Sequence, residues 1–292
     1  MRVSASRASL VFIFAFILNC NWLFAGDAIP KAAWRRPIGQ PLENAGGVKP
    51  NLKGGMIDDG YWQGEPVGGF GSGTFSRTYR GDFSRWHIKS GAHKYQTVWS
   101  NQFAMFQQQE GGSGVAQVLT ATHPDDGALR SWKWDYPVGA GDYYSLYPKS
   151  WYDYRWEKFP AHVTLEQFSP VLPNNYRESS YPVAVYRWHA ENPTDKPVTV
   201  SVLLSWTNML GWFRDFGPDM RSALDHGNFN RVLDETSSAG HMKGILFDRV
   251  RPQGVKDDFD GQWAIATLES PGVEVTYQAT FEPTSGAEVW TP

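Results

Sequence analysis

The sequence has very little cysteine and no acceptor site for N-linked glycans. Its single cysteine, Cys20, lies close to the N-terminus. One thiol cannot form a disulfide within the chain, and it cannot supply a metal site built from several cysteines. The sequence contains no Asn-x-Ser/Thr triplet with a residue other than proline at position x. Both absences are typical of a bacterial-type exported protein rather than of a disulfide-rich, glycosylated one.

The chain also lacks an excess of basic charge. Its 27 Lys and Arg residues stand against 30 Asp and Glu residues, for a formal net charge of −3. Because no positive field would attract nucleic acid, we exclude nucleic acid as a partner. The 7 histidines show neither the H-x-x-x-H nor the H-E-x-x-H spacing of a metal site, and no G-x-S-x-G elbow offers a serine nucleophile. We therefore expect no metal and no other cofactor.

Aromatic residues, by contrast, are abundant. The chain contains 14 Trp, 13 Tyr and 17 Phe, which together make up 15% of its residues. Flat aromatic rings stack on the apolar faces of pyranose sugars, so this composition fits a carbohydrate-binding protein. Aromatic side chains also favour β-strands, and an all-β domain would have the same composition. Composition alone leaves both interpretations open.

The first 28 residues have the pattern of an export signal. An apolar stretch from Leu10 to Leu18 follows two arginines and is too short to span a bilayer. Small residues would allow cleavage after Ala25 or Ala28, and an uncleaved signal anchor is the alternative. We predict an exported protein, periplasmic or extracellular. Residues 29–60 are rich in Pro and Gly, which predicts an extended arm lying over the domain that follows.

Short apolar or alternating segments recur between turn residues from residue 61 onward, as in β-strands. These segments are 102–107, 114–120, 162–168, 183–188, 198–205, 241–247, 262–267 and 273–277. No long run has the 3.6-residue period of a helix. We predict one all-β domain over 61–292, a large antiparallel β-sandwich with long decorated loops. The turn-like composition of 190–197 predicts that 183–188 and 198–205 pair as a hairpin.

The run from Pro66 to Ile88 is unusually rich in glycine and arginine. It lacks the Gly-Lys-Ser/Thr of a phosphate-binding loop and the third glycine of a dinucleotide fingerprint. Its glycines, at positions 68, 69, 71, 73 and 81, allow positive φ angles and let another chain or a ligand approach closely. Two interpretations remain open. The run is either a surface shaped for a partner, or a turn whose arginines pair with Asp82 and with backbone carbonyls.

A series of motifs runs through the chain in a fixed order. These motifs are Gly68–Thr74, Arg77, Arg80-Gly81, Phe83, Arg85-Trp86, Asn101–Phe103, Arg130–Trp134, Tyr147–Trp151, Ser169–Pro173, Asn175-Tyr176, Ser179–Val183, Glu191-Asn192 and Asn208–Gly211. These motifs, in this order, closely resemble the sequence of the N-terminal domain of glycoside hydrolase family 116, the non-lysosomal glucosylceramidase family. The resemblance extends from about residue 33 to the end of the sequence.

This resemblance implies a retaining β-glucosidase of two domains. An N-terminal β-sandwich would precede a C-terminal (α/α)6 barrel that carries a nucleophilic glutamate and an acid/base aspartate. Both catalytic residues would lie beyond Pro292, so we expect a domain truncated at its C-terminus, with no catalytic residue of its own and no activity alone. Its partners would be the catalytic barrel and a β-glucoside substrate, either a glycan or a glycolipid. The resemblance implies no metal.

The glycine-rich run supplies our candidates for contact with the barrel or with the rim of the substrate site. They are its charged and aromatic residues Arg77, Arg80, Asp82, Arg85 and Trp86. In this interpretation the domain packs on the barrel and buttresses the mouth of the active site. The residues are assigned from the position of the run and from the chemistry of the side chains.

Two features depart from the family pattern. Animal members act on membrane glucosylceramide from the cytosolic side, whereas this chain begins with an export signal, so a soluble β-glucoside or oligosaccharide is the expected substrate. The barrel is also absent from this sequence. The alternative function is therefore a non-catalytic β-sandwich that stands alone and binds carbohydrate or a protein.

Overall fold

The computed structural model describes residues 10–17, 28–40, 64–89, 92–210, 227–238, 240–250, 261–282 and 284–287, with backbone alone for 10–17 and for residues 89, 92, 93 and 95. Nearly all regular structure in these ranges is β. The elements are β1 (Leu10–Ile17), β2 (Trp34–Pro37), β3 (Pro66–Gly69), β4 (Gly73–Arg77), β5 (Phe83–Lys89), β6 (Ala92–Tyr95), β7 (Gln102–Gln109), β8 (Val115–Val118), β9 (Gly141–Leu146), β10 (Lys149–Tyr154), β11 (His162–Phe168), α1 (Tyr176–Ser179), β12 (Val185–Glu191), β13 (Val198–Trp206), β14 (Asn228–Ser237), β15 (Gly240–Arg249), β16 (Trp263–Leu268) and β17 (Val273–Gln278). No helix in these ranges is long and apolar enough to cross a bilayer.

Two five-stranded antiparallel sheets form the main body of the fold. Their strand orders are β17-β1-β13-β7-β8 and β12-β11-β10-β9-β2. Side chains of both sheets meet in one hydrophobic core, where Val202 of β13 and Leu165 of β11 are each no more than 1% exposed. Because successive side chains of a strand point to opposite faces, alternate residues such as Tyr152 and Tyr154 enter the core together. The predicted all-β sandwich is confirmed.

Two smaller sheets complete the core. One has the order β3-β4-β5-β6 and the other β14-β15-β16. The first contributes the fully buried Phe83 and Trp86, and the second contributes Ile245 and Phe247. All four side chains belong to the same core cluster as those of the two large sheets. The small sheets therefore cover part of the sandwich core.

The eight segments predicted as strands each overlap a strand, but one predicted pairing is wrong. Segments 183–188 and 198–205 do not form a hairpin. β12 pairs with β11, whereas β13 pairs with β7 and β1 in the other large sheet. The turn at 190–197 crosses from one layer of the sandwich to the other. Its composition predicts a reversal of the chain but not which strand lies beside β13.

The glycine-rich run folds mainly as strands. β3, β4 and β5 form an antiparallel meander within it, with Phe75 directly opposite Trp86 and Arg77 opposite Phe83. The register shifts between Ser76 and Arg77, which marks a β-bulge. A bulge adds one residue to one strand and reverses the alternation of its side chains. The faces that these residues occupy therefore depend on the bulge.

The N-terminal region contributes two strands. The apolar stretch of the predicted export signal contains β1, whose backbone pairs with β13 from Leu10 to Ile17 and with β17 from Val11 to Phe16. The predicted arm contains β2, which pairs with β9 at the edge of its sheet. The remainder of the predicted arm, from residue 41 to 60, lies outside the described residues.

Candidate functional site

The glycine hairpin, residues 66–77, owes its shape to glycine at defined positions. Gly71 and Gly73 have φ angles of 75° and 93°, a region that residues with a side chain rarely adopt. At Gly69 an added Cβ atom would lie 2.3 Å from the carbonyl oxygen of Ser180. The backbone that approaches Gly69 therefore belongs to the same domain.

The glycine hairpin rests on the segment 169–183. The backbone N–H of Gly68 donates to Oγ of Ser169 at 2.6 Å, and the N–H of Phe70 donates to the carbonyl of Ser179 at 2.9 Å. Ser169 in turn donates to the carbonyl of Val183 at 2.6 Å. These bonds join two segments about a hundred residues apart in sequence and hold the tip of the hairpin in one position.

The structure places the side chain of Arg77 in the core. It is 0% exposed, and its guanidinium lies 4.2 Å from the centre of the Tyr152 ring. Its nitrogens donate to the hydroxyl of Tyr154 at 2.9 Å and to two backbone carbonyls, those of Gly81 at 2.7 Å and Leu119 at 2.8 Å. Burial raises the pKa of Tyr154, with Arg77 acting in the opposite direction. At neutral pH this phenol is therefore uncharged and accepts the hydrogen bond.

Asp82 and Trp86 are also internal. Asp82 is 3% exposed and accepts hydrogen bonds from the hydroxyls of Thr78 and Thr97. Trp86 is 0% exposed and stacks on Phe75 with ring centres 5.6 Å apart. We predicted Arg77, Asp82 and Trp86 as candidates for an interface, but at most 3% of each is exposed in this chain, so they offer almost no surface to a partner here. They hold the hairpin and the core together.

Arg80 and Arg85 are the two candidates with partly exposed side chains. Arg80 lies 5.9 Å from the ring centre of Tyr79. Arg85 lines a cavity of about 290 Å³, together with Thr74 and His87 from neighbouring positions of the same sheet. Of the five residues predicted from the sequence, only Arg85 lies at this cavity.

Six exposed apolar side chains, which we call the apolar rim, lie at this cavity or on the segment 169–183 that holds the hairpin. The members of this apolar rim are Phe70 at 49% exposure, Tyr147 at 52%, Leu172 at 42%, Tyr176 at 78%, Tyr181 at 47% and Val183 at 42%. Phe70 and Tyr147 line the cavity directly, and the other four lie on or next to the segment that holds the hairpin. Single exposed apolar residues are common, but several on adjoining segments indicate a contact surface.

The chain matches a known protein family over most of its length. A family model described as "beta-glucosidase 2, glycosyl-hydrolase family 116 N-term" matches residues 64–292. The chain belongs to this family. The matched region of this family 116 N-terminal domain begins just before β3, and it includes both the glycine hairpin and the apolar rim. The membership confirms the resemblance and assigns the chain by family to the glycoside hydrolases.

Several motifs of the family 116 domain meet at the glycine hairpin, although they are far apart in sequence. The motifs Gly68–Thr74, Tyr147–Trp151, Ser169–Pro173 and Ser179–Val183 all contribute residues to the cavity or to the bonds that hold the hairpin. Tyr147 and Val183 belong to motifs that carry the family resemblance, but the sequence did not predict that they are exposed at this surface. The position of both residues within motifs of the family was the sequence signal that could have identified them as candidate contact residues.

The described residues of the family 116 domain contain no group of three or more His, Cys, Asp or Glu side chains arranged to hold a metal ion. The hairpin cavity is lined by Arg85, His87, hydroxyls and apolar groups. It can donate hydrogen bonds and bury apolar surface. This chemistry suits the binding of another surface.

Proposed function

We propose that this chain is the non-catalytic part of a retaining β-glucosidase, and that its apolar rim docks on the catalytic domain of that enzyme. The supporting observation is the apolar rim itself, with six exposed apolar side chains on or beside motif segments of the family. Because the family is described as an N-terminal domain, the proposed partner is the domain that follows it in such an enzyme.

The reaction belongs to the partner domain in this proposal. A glutamate attacks the anomeric carbon of a β-glucoside, the aspartate protonates the leaving oxygen, and water then hydrolyses the covalent glycosyl-enzyme. The two carboxyl groups of a retaining enzyme stand about 5 to 5.5 Å apart, so small shifts of the supporting loops matter. The chain described here contributes no catalytic group. It keeps the mouth of the active site in position.

Arg85 is the polar residue that we place at the centre of this contact. Its side chain lines the same cavity as Phe70 and Tyr147, both of which are about half exposed. A docked domain would cover these rings and bring its own polar groups to the guanidinium. Buried contacts between arginine and a carboxylate or carbonyl are stronger than neutral hydrogen bonds. Apolar rings around a polar centre are a common arrangement in interfaces.

The docking proposal predicts that acidic substitutions in the apolar rim separate the two domains. With the catalytic domain supplied as a second protein, Phe70→Asp combined with Tyr181→Asp should weaken association by about a hundredfold or more, since hot-spot aromatics each contribute about 2 kcal/mol. Turnover of 4-nitrophenyl β-glucoside by the mixture should fall in parallel. Isothermal titration calorimetry measures the first effect, and release of 4-nitrophenol measures the second.

Val138→Asp is the matched control, because Val138 is 58% exposed and lies outside the apolar rim. It should leave both association and turnover unchanged. Arg85→Ala should weaken association without unfolding the chain by circular dichroism. The chain alone should release no 4-nitrophenol. Full association of the Phe70/Tyr181 variant would refute the docking surface, and turnover by the isolated chain would refute the assignment of catalysis to the partner.

We propose further that the protein is exported and acts on a soluble β-glucoside rather than on membrane glucosylceramide. The supporting observation is the N-terminal pattern of arginines followed by the apolar stretch Leu10 to Leu18. The strand β1 occupies part of this stretch, and a chain cleaved after Ala25 or Ala28 would lack it. N-terminal sequencing of protein from the producing cells should give a start near residue 26 or 29. An intact N-terminus in folded cytosolic protein would refute the proposal.

A further inference from the structure

A second cavity lies on the outer face of the sheet β12-β11-β10-β9-β2. It has a volume of about 450 Å³ and is lined on one side by Ile29, Pro30, Lys31 and Ala33, which precede β2. It shares no lining residue with the cavity at the glycine hairpin. The volume falls in the range of about 300 to 1,000 Å³ that is usual for small-molecule sites. We call it the outer groove.

Strand register places polar side chains together at the floor of the outer groove. Asp153 of β10 lies opposite Thr164 of β11, and Thr164 lies opposite His189 of β12. His162 and Glu191 form the neighbouring pair, two residues along. Since residues directly opposite in adjacent strands point to the same face, all five side chains are directed away from the core.

The charges of the outer groove nearly cancel. Arg35 pairs with Asp142 at 2.8 Å, and Arg155 pairs with Asp153 at 2.7 Å. The hydrogen bond to Asp142 is the main cause that raises the pKa of Arg35, and the hydrogen bond to Asp153 is the main cause that raises the pKa of Arg155, so both arginines stay charged at neutral pH. The remaining charged groups that line the groove are Lys31 and Glu191, which have opposite signs. The groove therefore has no excess charge to attract an anion or a cation.

Several polar groups of the outer groove are available to a ligand. Within the part of the chain that the structure describes, the side chains of His162, Thr164, His189 and Glu191 are not among those with a hydrogen bond or an ion pair. Together they offer donors and acceptors in one concave surface. The half-buried ring of Tyr144 adds an aromatic surface beside them. A ligand that satisfies this groove needs both hydroxyl groups and an apolar face.

We propose that the outer groove binds a neutral oligosaccharide of pyranose sugars. Such a ring carries hydroxyl groups around its edge and C–H groups on its faces, which matches the polar floor and the Tyr144 ring. His189 and Glu191 bind sugar hydroxyls, and Tyr144 stacks on the ring. The balanced charge favours a neutral sugar over a uronic acid or a phosphate. This site is independent of the docking surface and would hold a glycan chain on the domain.

The binding test uses the whole 292-residue chain without the catalytic domain, so that failure of the docking proposal does not affect it. Cellotetraose and laminaritetraose are titrated by calorimetry and by saturation-transfer NMR, with tetragalacturonate and inorganic phosphate as anionic comparisons. We expect a Kd on the order of millimolar for a neutral tetrasaccharide, as a shallow and polar groove buries little apolar area. The anions should bind more weakly or not at all.

Three variants locate the binding site. Tyr144→Ala, His189→Ala and Glu191→Gln should each weaken binding by about tenfold, the effect of losing one net contact of about 1.4 kcal/mol. Glu191→Gln keeps the shape of the side chain, so it separates lost binding from lost folding. Val138→Ala is the control and should bind normally, because Val138 is exposed and lies outside both the outer groove and the apolar rim. Absence of binding to both neutral sugars, binding that survives all three variants, or preference for an anion would overturn the proposal.

Discussion

Replacing Arg77 should destabilise the domain more than any surface substitution. Arg77→Ala removes a fully buried cation and leaves the Tyr154 hydroxyl and the carbonyls of Gly81 and Leu119 without their donor. The loss of three hydrogen bonds and of packing on Tyr152 should lower the free energy of unfolding by about 3 to 5 kcal/mol. Urea denaturation followed by tryptophan fluorescence should show the midpoint falling at unchanged slope.

Two further variants identify which property of Arg77 matters. Arg77→Lys keeps the charge but cannot reach all three acceptors, because an ammonium group lacks the planar fork of guanidinium, and it should lose about half as much. Arg77→Met keeps the volume and loses every donor. Arg177→Ala, on the exposed surface of α1, should leave the midpoint unchanged. A wild-type midpoint for Arg77→Met would show that the buried hydrogen bonds contribute nothing.

Trp86→Ala is the second substitution with a large expected effect. Trp86 is 0% exposed, stacks on Phe75, and meets the ring of Trp206 edge-on at 6.0 Å between centres. Its truncation removes a large part of the core where the small sheet joins the sandwich. We expect a loss of about 3 to 5 kcal/mol, the usual cost of removing a buried tryptophan. Thermal unfolding measured by calorimetry should show a correspondingly lower Tm.

The hydrogen bond of Trp86 can be separated from its packing. The indole Nε1 donates to the carbonyl of Gln96 at 2.9 Å. Trp86→Phe keeps an aromatic ring but loses this donor, so it should destabilise less than Trp86→Ala but still measurably. Trp34→Phe is the matched control, since Trp34 is 46% exposed and should tolerate the change. Equal stability of Trp86→Ala and wild type would contradict the burial that we describe.

The glycine-rich run from Pro66 to Ile88 contains the core residues Arg77 and Trp86 and also the partly exposed Arg85. A β-bulge decides which of these side chains enter the core and which face outward. Strict alternation from Phe83 would place Arg85 in the core and Trp86 outside. The register shift in the β4/β5 pair instead puts Phe83 and Trp86 on the core side, opposite Arg77 and Phe75. One extra residue in a strand reverses every later side chain. Nothing in the local sequence marks that insertion.

Strand pairing shows a similar division. The positions of strands such as β11 and β13 follow from their own alternating residues, and the sequence predicted both. Their partners depend on residues far away, so β12 and β13 lie in different sheets despite the turn between them. The hairpin formed by β9 and β10 was not predicted from the sequence. The burial of its residues Tyr143, Tyr152 and Tyr154 was not predicted either, because it depends on packing against distant segments.

The sequence by itself determined the all-β class, the eight strand segments and, through the order of its motifs, the family. These properties depend on local periodicity, on turn residues and on residue identity along the chain. The tertiary structure alone decided that Arg77, Asp82 and Trp86 are internal and that the apolar rim and the outer groove exist. Burial and concave surfaces arise when segments distant in sequence pack together, and no local pattern records which segments will meet.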